Sequence, residues 1–287
     1  MCCADGVATN ERPRIGLRRV RFGMAELARD PERPSGWLLS VGGLAQSYVD
    51  VEDPTYLRFS YLRHTAVALH CVTGPGVPLT AVHIGGGACT LPRYLAATRP
   101  GTDSEVYEID GALVRLDERE LGLTLSPSLR ATVGDARMLI GKRATASADL
   151  VVGDAFGHLV VPWHLATREM AAEIKRVTRP SGIYVQNVID YPPLRFIRAE
   201  VATVAAEFPH VALVAPESSL AGETGSNFLI VASRSPLPLE RIRASLASDD
   251  GGRPVALLDG AALADFVGDA RVLTDEFAPV DQLLATS

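Results

Sequence analysis

Cysteine is scarce in this 287-residue chain, with only Cys2, Cys3, Cys71 and Cys89. Two are adjacent at the N-terminus and two sit in apolar segments, a pattern that offers neither a disulfide framework nor a CxxC metal pair. Long apolar runs are missing as well. None approaches the roughly 18 residues a membrane helix needs, and the longest are broken by Gly and Pro, as at Val72-Thr73-Gly74-Pro75-Gly76. The N-terminus lacks a basic-then-apolar export pattern, so a cytoplasmic location is expected. Positive charge is not in excess: 28 Lys and Arg against 34 Asp and Glu give a net charge of −6. That balance argues against a nucleic-acid partner, which would require clustered basic residues. The six histidines, His64, His70, His83, His158, His164 and His210, show no metal-ligand spacing, so no metal is expected. Apolar residues are plentiful, at 47%, enough for a sizeable core in one large domain or two modest ones.

Residues 1–14 carry no periodicity and are expected to be a disordered terminus. Short strands follow from Arg18 to Asp50, where Trp37–Val41 and Leu44–Val49 flank the hairpin signal Gly42-Gly43. Asp53-Pro54 is expected to open a helix running to about Cys71. These elements make an N-terminal β-hairpin region with its linking helix, residues 15–76. From residue 77 to 235 strands and helices alternate. Strands are expected at Thr80–Ile84, Ser104–Ile109, Leu129–Val133, Leu150–Gly153 and Gly182–Val188. Helices are expected at Thr90–Ala97, Ala112–Leu121 and Trp163–Val177. Such alternation gives a parallel sheet covered by helices. Val211–Ala215 and Phe228–Ala232 have no helix between them and read as an antiparallel closing hairpin. The fold class is therefore α/β: a Rossmann-like, mostly parallel seven-stranded sheet with an antiparallel last strand, preceded by the small hairpin domain. Residues 236–287 form a C-terminal helical extension with a short strand.

The apolar strand Ala81–Ile84 runs into Gly85-Gly86-Gly87-Ala88-Cys89-Thr90. Glycines at such a turn let the backbone approach a ligand and bend sharply into a helix N-terminus. The next strand ends in Glu108-Ile109-Asp110, where a carboxylate can accept both ribose hydroxyl protons of a nucleoside. Glu108 is better placed for that contact, and Asp110 for capping the next helix. The dinucleotide fingerprint wants a third glycine where this chain has Thr90, which favours an S-adenosyl ligand. Asp135, ending the third strand, can accept from an adenine amino group or cap a helix. Asp154, ending the fourth, faces the same crevice, since ligands of open α/β sheets sit beyond the carboxyl ends of the strands. It is the candidate base, or else a cap for the Trp163–Val177 helix. His64, on the helix of Tyr61, can face an acceptor pocket or serve packing.

Together these motifs resemble the spermidine synthases and the wider polyamine aminopropyltransferase-like group, from about Trp37 to Ser233. Gly85, Gly86 and Gly87 match the start of that family's glycine-rich motif, Glu108 its ribose acid, Asp135 its adenine-side acid and Asp154 its catalytic Asp. Gln46, Tyr61 and Gln186 also match. The resemblance implies a β domain before the nucleotide fold, decarboxylated S-adenosylmethionine as aminopropyl donor, a small-molecule amine acceptor that is a diamine, and usually a homodimer. Three family residues are missing. An Asp following the three glycines is here Ala88, a second Asp in the catalytic loop is Gly157, and an expected Tyr is absent from Pro216-Glu217-Ser218-Ser219. Each loss removes a group that would hold a cationic amine. Methyl transfer from intact S-adenosylmethionine is the alternative that a missing acid at 88 would suit. A non-catalytic nucleotide- or partner-binding protein is a third reading.

Overall fold

The computed structural model describes residues 16–248 and 253–284. The expected disordered terminus over 1–14, and with it Cys2 and Cys3, lies outside the described residues.

Two sheets organise the chain. The first is an antiparallel meander of β1 (Gly16–Val20), β2 (Gly23–Arg29), β3 (Gly36–Val41) and β4 (Leu44–Asp50), hydrogen-bonded in that order. Gly42 and Gly43 turn the β3–β4 hairpin with φ of 59° and 81°, the left-handed region that favours glycine. The second sheet contains β5 (Thr80–Ile84), β6 (Asp103–Glu108), β7 (Leu129–Val133), β8 (Ala148–Gly153), β9 (Thr178–Asp190), β10 (His210–Pro216), β11 (Ser226–Ser233) and β12 (Val255–Leu258). Its order is β7-β6-β5-β8-β9-β11-β10-β12. Strands β5 to β9 run parallel, and β11 inserts antiparallel between β9 and β10. The sheet thus has eight strands, not the expected seven. The additional one, β12, pairs with β10 and covers the row of backbone donors and acceptors that an edge strand leaves open.

The helices are α1 (Ser60–Thr73), α2 (Thr90–Thr98), α3 (Gly111–Glu120), α4 (Ala136–Ile140), α5 (Arg168–Val177), α6 (Arg195–Ala205), α7 (Glu217–Leu220), α8 (Leu239–Ser248), α9 (Gly260–Val267) and α10 (Val280–Leu284). Helix α1 starts later than Asp53-Pro54 suggested. The Asp53 carboxylate instead accepts from the backbone N–H and hydroxyl of Thr55 and pairs with Arg33, holding a local turn in place of a helix start. The segment expected as one helix over Trp163–Val177 breaks into a 3-10 turn at Trp163–Leu165 and α5, whose cap is Thr167. One helical turn, α7, occupies the β10–β11 connection.

Strand alternation divides the second sheet's side chains between its two faces. Leu150 and Val152 of β8, Ile183 and Val185 of β9, and Leu229 and Val231 of β11 pack with α1 and α8. Val151, Tyr184, Val188, Phe228 and Ile230 pack with α5 and α6 on the other face. The meander closes on the second unit through a separate apolar seam, where Trp37, Leu39 and Val49 meet Ala88, Leu113, Leu116 and Leu121.

Candidate active site

The glycine turn has no room for side chains. Gly85 has φ +94°, and a Cβ there would lie 2.3 Å from the Asp154 carbonyl oxygen; one on Gly87, φ +52°, would lie 2.3 Å from Ser47 Oγ. The backbone therefore packs directly against the β8 tip on one side and β4 on the other. Across the turn, the Glu108 carboxylate accepts from Gly86 N at 2.8 Å and from Asp110 N at 2.8 Å. Burial pushes Glu108 above the usual carboxylate range, while these backbone donors pull it back. Asp110 caps α3, accepting from Ala112 N and Leu113 N, and its other oxygen accepts from Arg21 N of the meander at 2.6 Å. Asp110 is thus the helix cap that the sequence suggested.

A cavity of about 510 Å³ opens between this turn and the meander. Gln46 and Ser47 of β4 form part of its wall; Gln46 Nε2 reaches the His158 carbonyl at 3.5 Å. Asp135 lines it while also capping α4 through Arg137 N at 2.8 Å, and its second oxygen lies 3.2 Å from His164 Nε2. Asp135 is thus the cap of α4, with its side chain also on the cavity wall.

Asp154 is no helix cap. Its Oδ2 accepts from the Tyr61 hydroxyl at 2.9 Å, and its Oδ1 accepts from Asn187 Nδ2 at 2.9 Å. Burial raises its affinity for a proton, and the two donors oppose that rise. Burial, and then the neighbouring carboxylate, pushes the Tyr61 phenol well above its ordinary value. The result is a carboxylate held in one orientation by two neutral donors and facing the cavity.

The structure gathers Gln46, Tyr61, Gly85, Gly86, Gly87, Glu108, Asp135 and Asp154 around this one cavity. Two expected residues do not line it. His64, one turn beyond Tyr61 on α1, is buried and absent from the cavity wall. Gln186 faces the opposite side of β9, where its Nε2 donates to Glu200 Oε1 of α6 at 2.7 Å. Glu200, sealed in the interior, is pushed up to about 8 by burial. The residue serving the cavity is Asn187, one position along. The period of 2 in strands signals this: Ile183 and Val185 share the α1 face, so Asn187 and Ile189 continue it. Asn227, opposite Ile189 in β11, was also missed, as were Arg21 and His164. Among the described residues no group of three or more His, Cys, Asp or Glu side chains could hold a metal ion, and no helix is long and apolar enough to cross a membrane.

No protein-family profile matches the chain. The polyamine aminopropyltransferase of Vibrio vulnificus is 29% identical over 248 residues, spanning 82% of this chain and 79% of that one. The crystal structure of a probable spermidine synthase from Corynebacterium glutamicum superposes with a TM-score of 0.85 at 29% identity, over 92% of this chain and 97% of that chain. The chain is spermidine-synthase-like. The kinship is to transferases, and the chain is an enzyme of that class. The Thermotoga maritima spermidine synthase shares the fold at 13% identity and a TM-score of 0.61, over 95% of this chain and 84% of that one.

Proposed function

We propose that the chain transfers an aminopropyl group from decarboxylated S-adenosylmethionine to an amine through an atypical acceptor site. The observation that carries this reading is Asp154, fixed between Tyr61 and Asn187 in the cavity that also holds the glycine turn and Glu108. The β-carbonless turn and the buried acid at the β6 tip fit an adenosyl group: Glu108 would accept from the ribose hydroxyls and Asp135 from the adenine amine, with Gln46 toward the donor's tail. The donor is a substrate that supplies the sulfonium and its aminopropyl chain.

Alkyl ammonium groups ionise near pH 10, so the acceptor arrives protonated and unable to attack. Asp154 takes one proton from it. The freed nitrogen lone pair then forms a C–N bond at the carbon beside sulfur, the C–S bond breaks, and its electron pair leaves on methylthioadenosine as a neutral thioether. Burial favours Asp154 as an acceptor of that proton, and Tyr61 and Asn187 fix the angle at which it is presented. A homodimer and a cytoplasmic location belong to the same proposal.

The test is incubation with decarboxylated S-adenosylmethionine and a mixed amine pool, following methylthioadenosine by mass spectrometry. Amine-dependent release supports the reading. S-adenosylhomocysteine formed from intact S-adenosylmethionine would replace it with methyl transfer, and release of neither product would leave a binding protein.

A further inference from the structure

The carboxylates that line the cavity are distributed unequally between its halves. Glu108, Asp110 and Asp135 stand at the tips of β6 and β7. Asp154 stands alone over β8, β9 and β11 on the other side of β5 in the sheet order. The wall beyond it is made by Asn187, Ile189 and Asn227, which share the face that packs α1, with Phe59 beside them. The other acids on or against these elements are held elsewhere: Asp149 of β8 pairs with Arg179 and accepts from Thr80 N. Asp190 is buried and accepts from Tyr191 N and Ile197 N, and Glu200 lies behind the sheet against Gln186.

We propose that the acceptor is a primary monoamine with an uncharged chain, not a diamine. This rests on the aminopropyl-transfer reading, which places the nucleoside over Glu108 and the amine at Asp154. One ammonium meets Asp154. A second, at the far end of a diamine, would lie among amides, an isoleucine and a phenylalanine, with no carboxylate of the described residues on that wall to pair with, and such desolvation is costly. An uncharged tail suits that wall, where Asn227 is a neutral amide and Asn187 Oδ1 is a buried acceptor left open.

The test compares putrescine with n-butylamine, equal in carbon number and differing in one ammonium. Methylthioadenosine release with decarboxylated S-adenosylmethionine should show kcat/KM at least tenfold higher for n-butylamine. Asn227→Asp, which sets a carboxylate into the neutral wall, should shift that ratio toward putrescine by a similar factor. Both amines are also titrated calorimetrically into protein saturated with methylthioadenosine, so that preference is read without turnover. Tighter n-butylamine binding with no turnover would sink aminopropyl transfer and support the acceptor class. Equal or tighter putrescine binding, or no binding of either amine, would overturn it.

Discussion

Removing the Tyr61 hydroxyl separates catalysis from support, because it leaves the proposed base in place and changes only how that base titrates. The hydroxyl donates to Asp154 Oδ2 at 2.9 Å in a site where burial already favours the protonated acid. A hydrogen bond to a charged acceptor is worth about 1.5–3 kcal/mol, and one pH unit corresponds to about 1.4 kcal/mol. Since the bond stabilises the carboxylate form, Tyr61→Phe moves the titration of Asp154 upward by about one to two pH units. The base is then available only at higher pH. The acid limb of the kcat/KM profile should rise by the same interval, while the ionisation of the free amine, near pH 10, is common to both proteins. The assay is methylthioadenosine release from pH 5 to 9 with the donor held constant, beside thermal melts of both proteins. A purely structural tyrosine would lower the melting temperature and scale the profile down without moving it. An acid limb that stays in place refutes the assignment of Asp154 as the base.

Asp154→Asn keeps an amide where the carboxylate was, so nucleotide affinity should persist while turnover falls by about a hundredfold or more, with partial recovery at high pH; near-normal turnover in a stably folded variant removes Asp154 from the mechanism. Glu108→Gln weakens the acceptor beside the Gly86 N–H, and calorimetry should show methylthioadenosine bound tenfold or more weakly, about 1.4 kcal/mol. Glu200, held at about 8 in the fold against an unfolded value near 4.3, keeps its proton only when folded across that interval. Its contribution to stability is fully present below pH 4 and is lost as pH rises toward 8. Wild-type melting temperature should therefore fall from pH 6 to 9 more steeply than that of Glu200→Gln, and parallel melting curves would contradict a buried neutral acid.

Much of the cavity was legible because its chemistry follows strand ends. The glycines after β5 and the acids after β6, β7 and β8 sit where any open α/β sheet gathers its ligand contacts. The elements of 77–235 could be read from periodicity for the same reason. What escaped depended on parity and on partners distant in sequence. Gln186 and Asn187 are neighbours in the chain but face opposite sides of β9; alternation groups Asn187 with Ile183 and Val185, and the packing of that face on α1 puts it beside Asp154. His64 carries polarity that sequence alone could not assign to a pocket or to packing. The start of α1 was misplaced because an aspartate that can cap a helix can equally hold a turn. β12 was readable as a strand, but its pairing with β10 depends on an edge left open by residues some forty positions earlier.

The apolar seam between meander and second sheet decides which positions around the glycine turn can accept a new side chain. Ala88, fully buried, points into that seam with Trp37 and Leu113 and away from the cavity. An aspartate there would overfill this packed seam, even with the Arg93 guanidinium, which donates to the Ala88 carbonyl, at hand to pair with it. Placing an acid at 88 therefore requires the packing to loosen. Single substitutions on the cavity wall, at Asn227 for example, are not blocked in this way. New specificities are more accessible from the β9–β11 side, where side chains line an open cavity, than at the packed position behind the glycine turn.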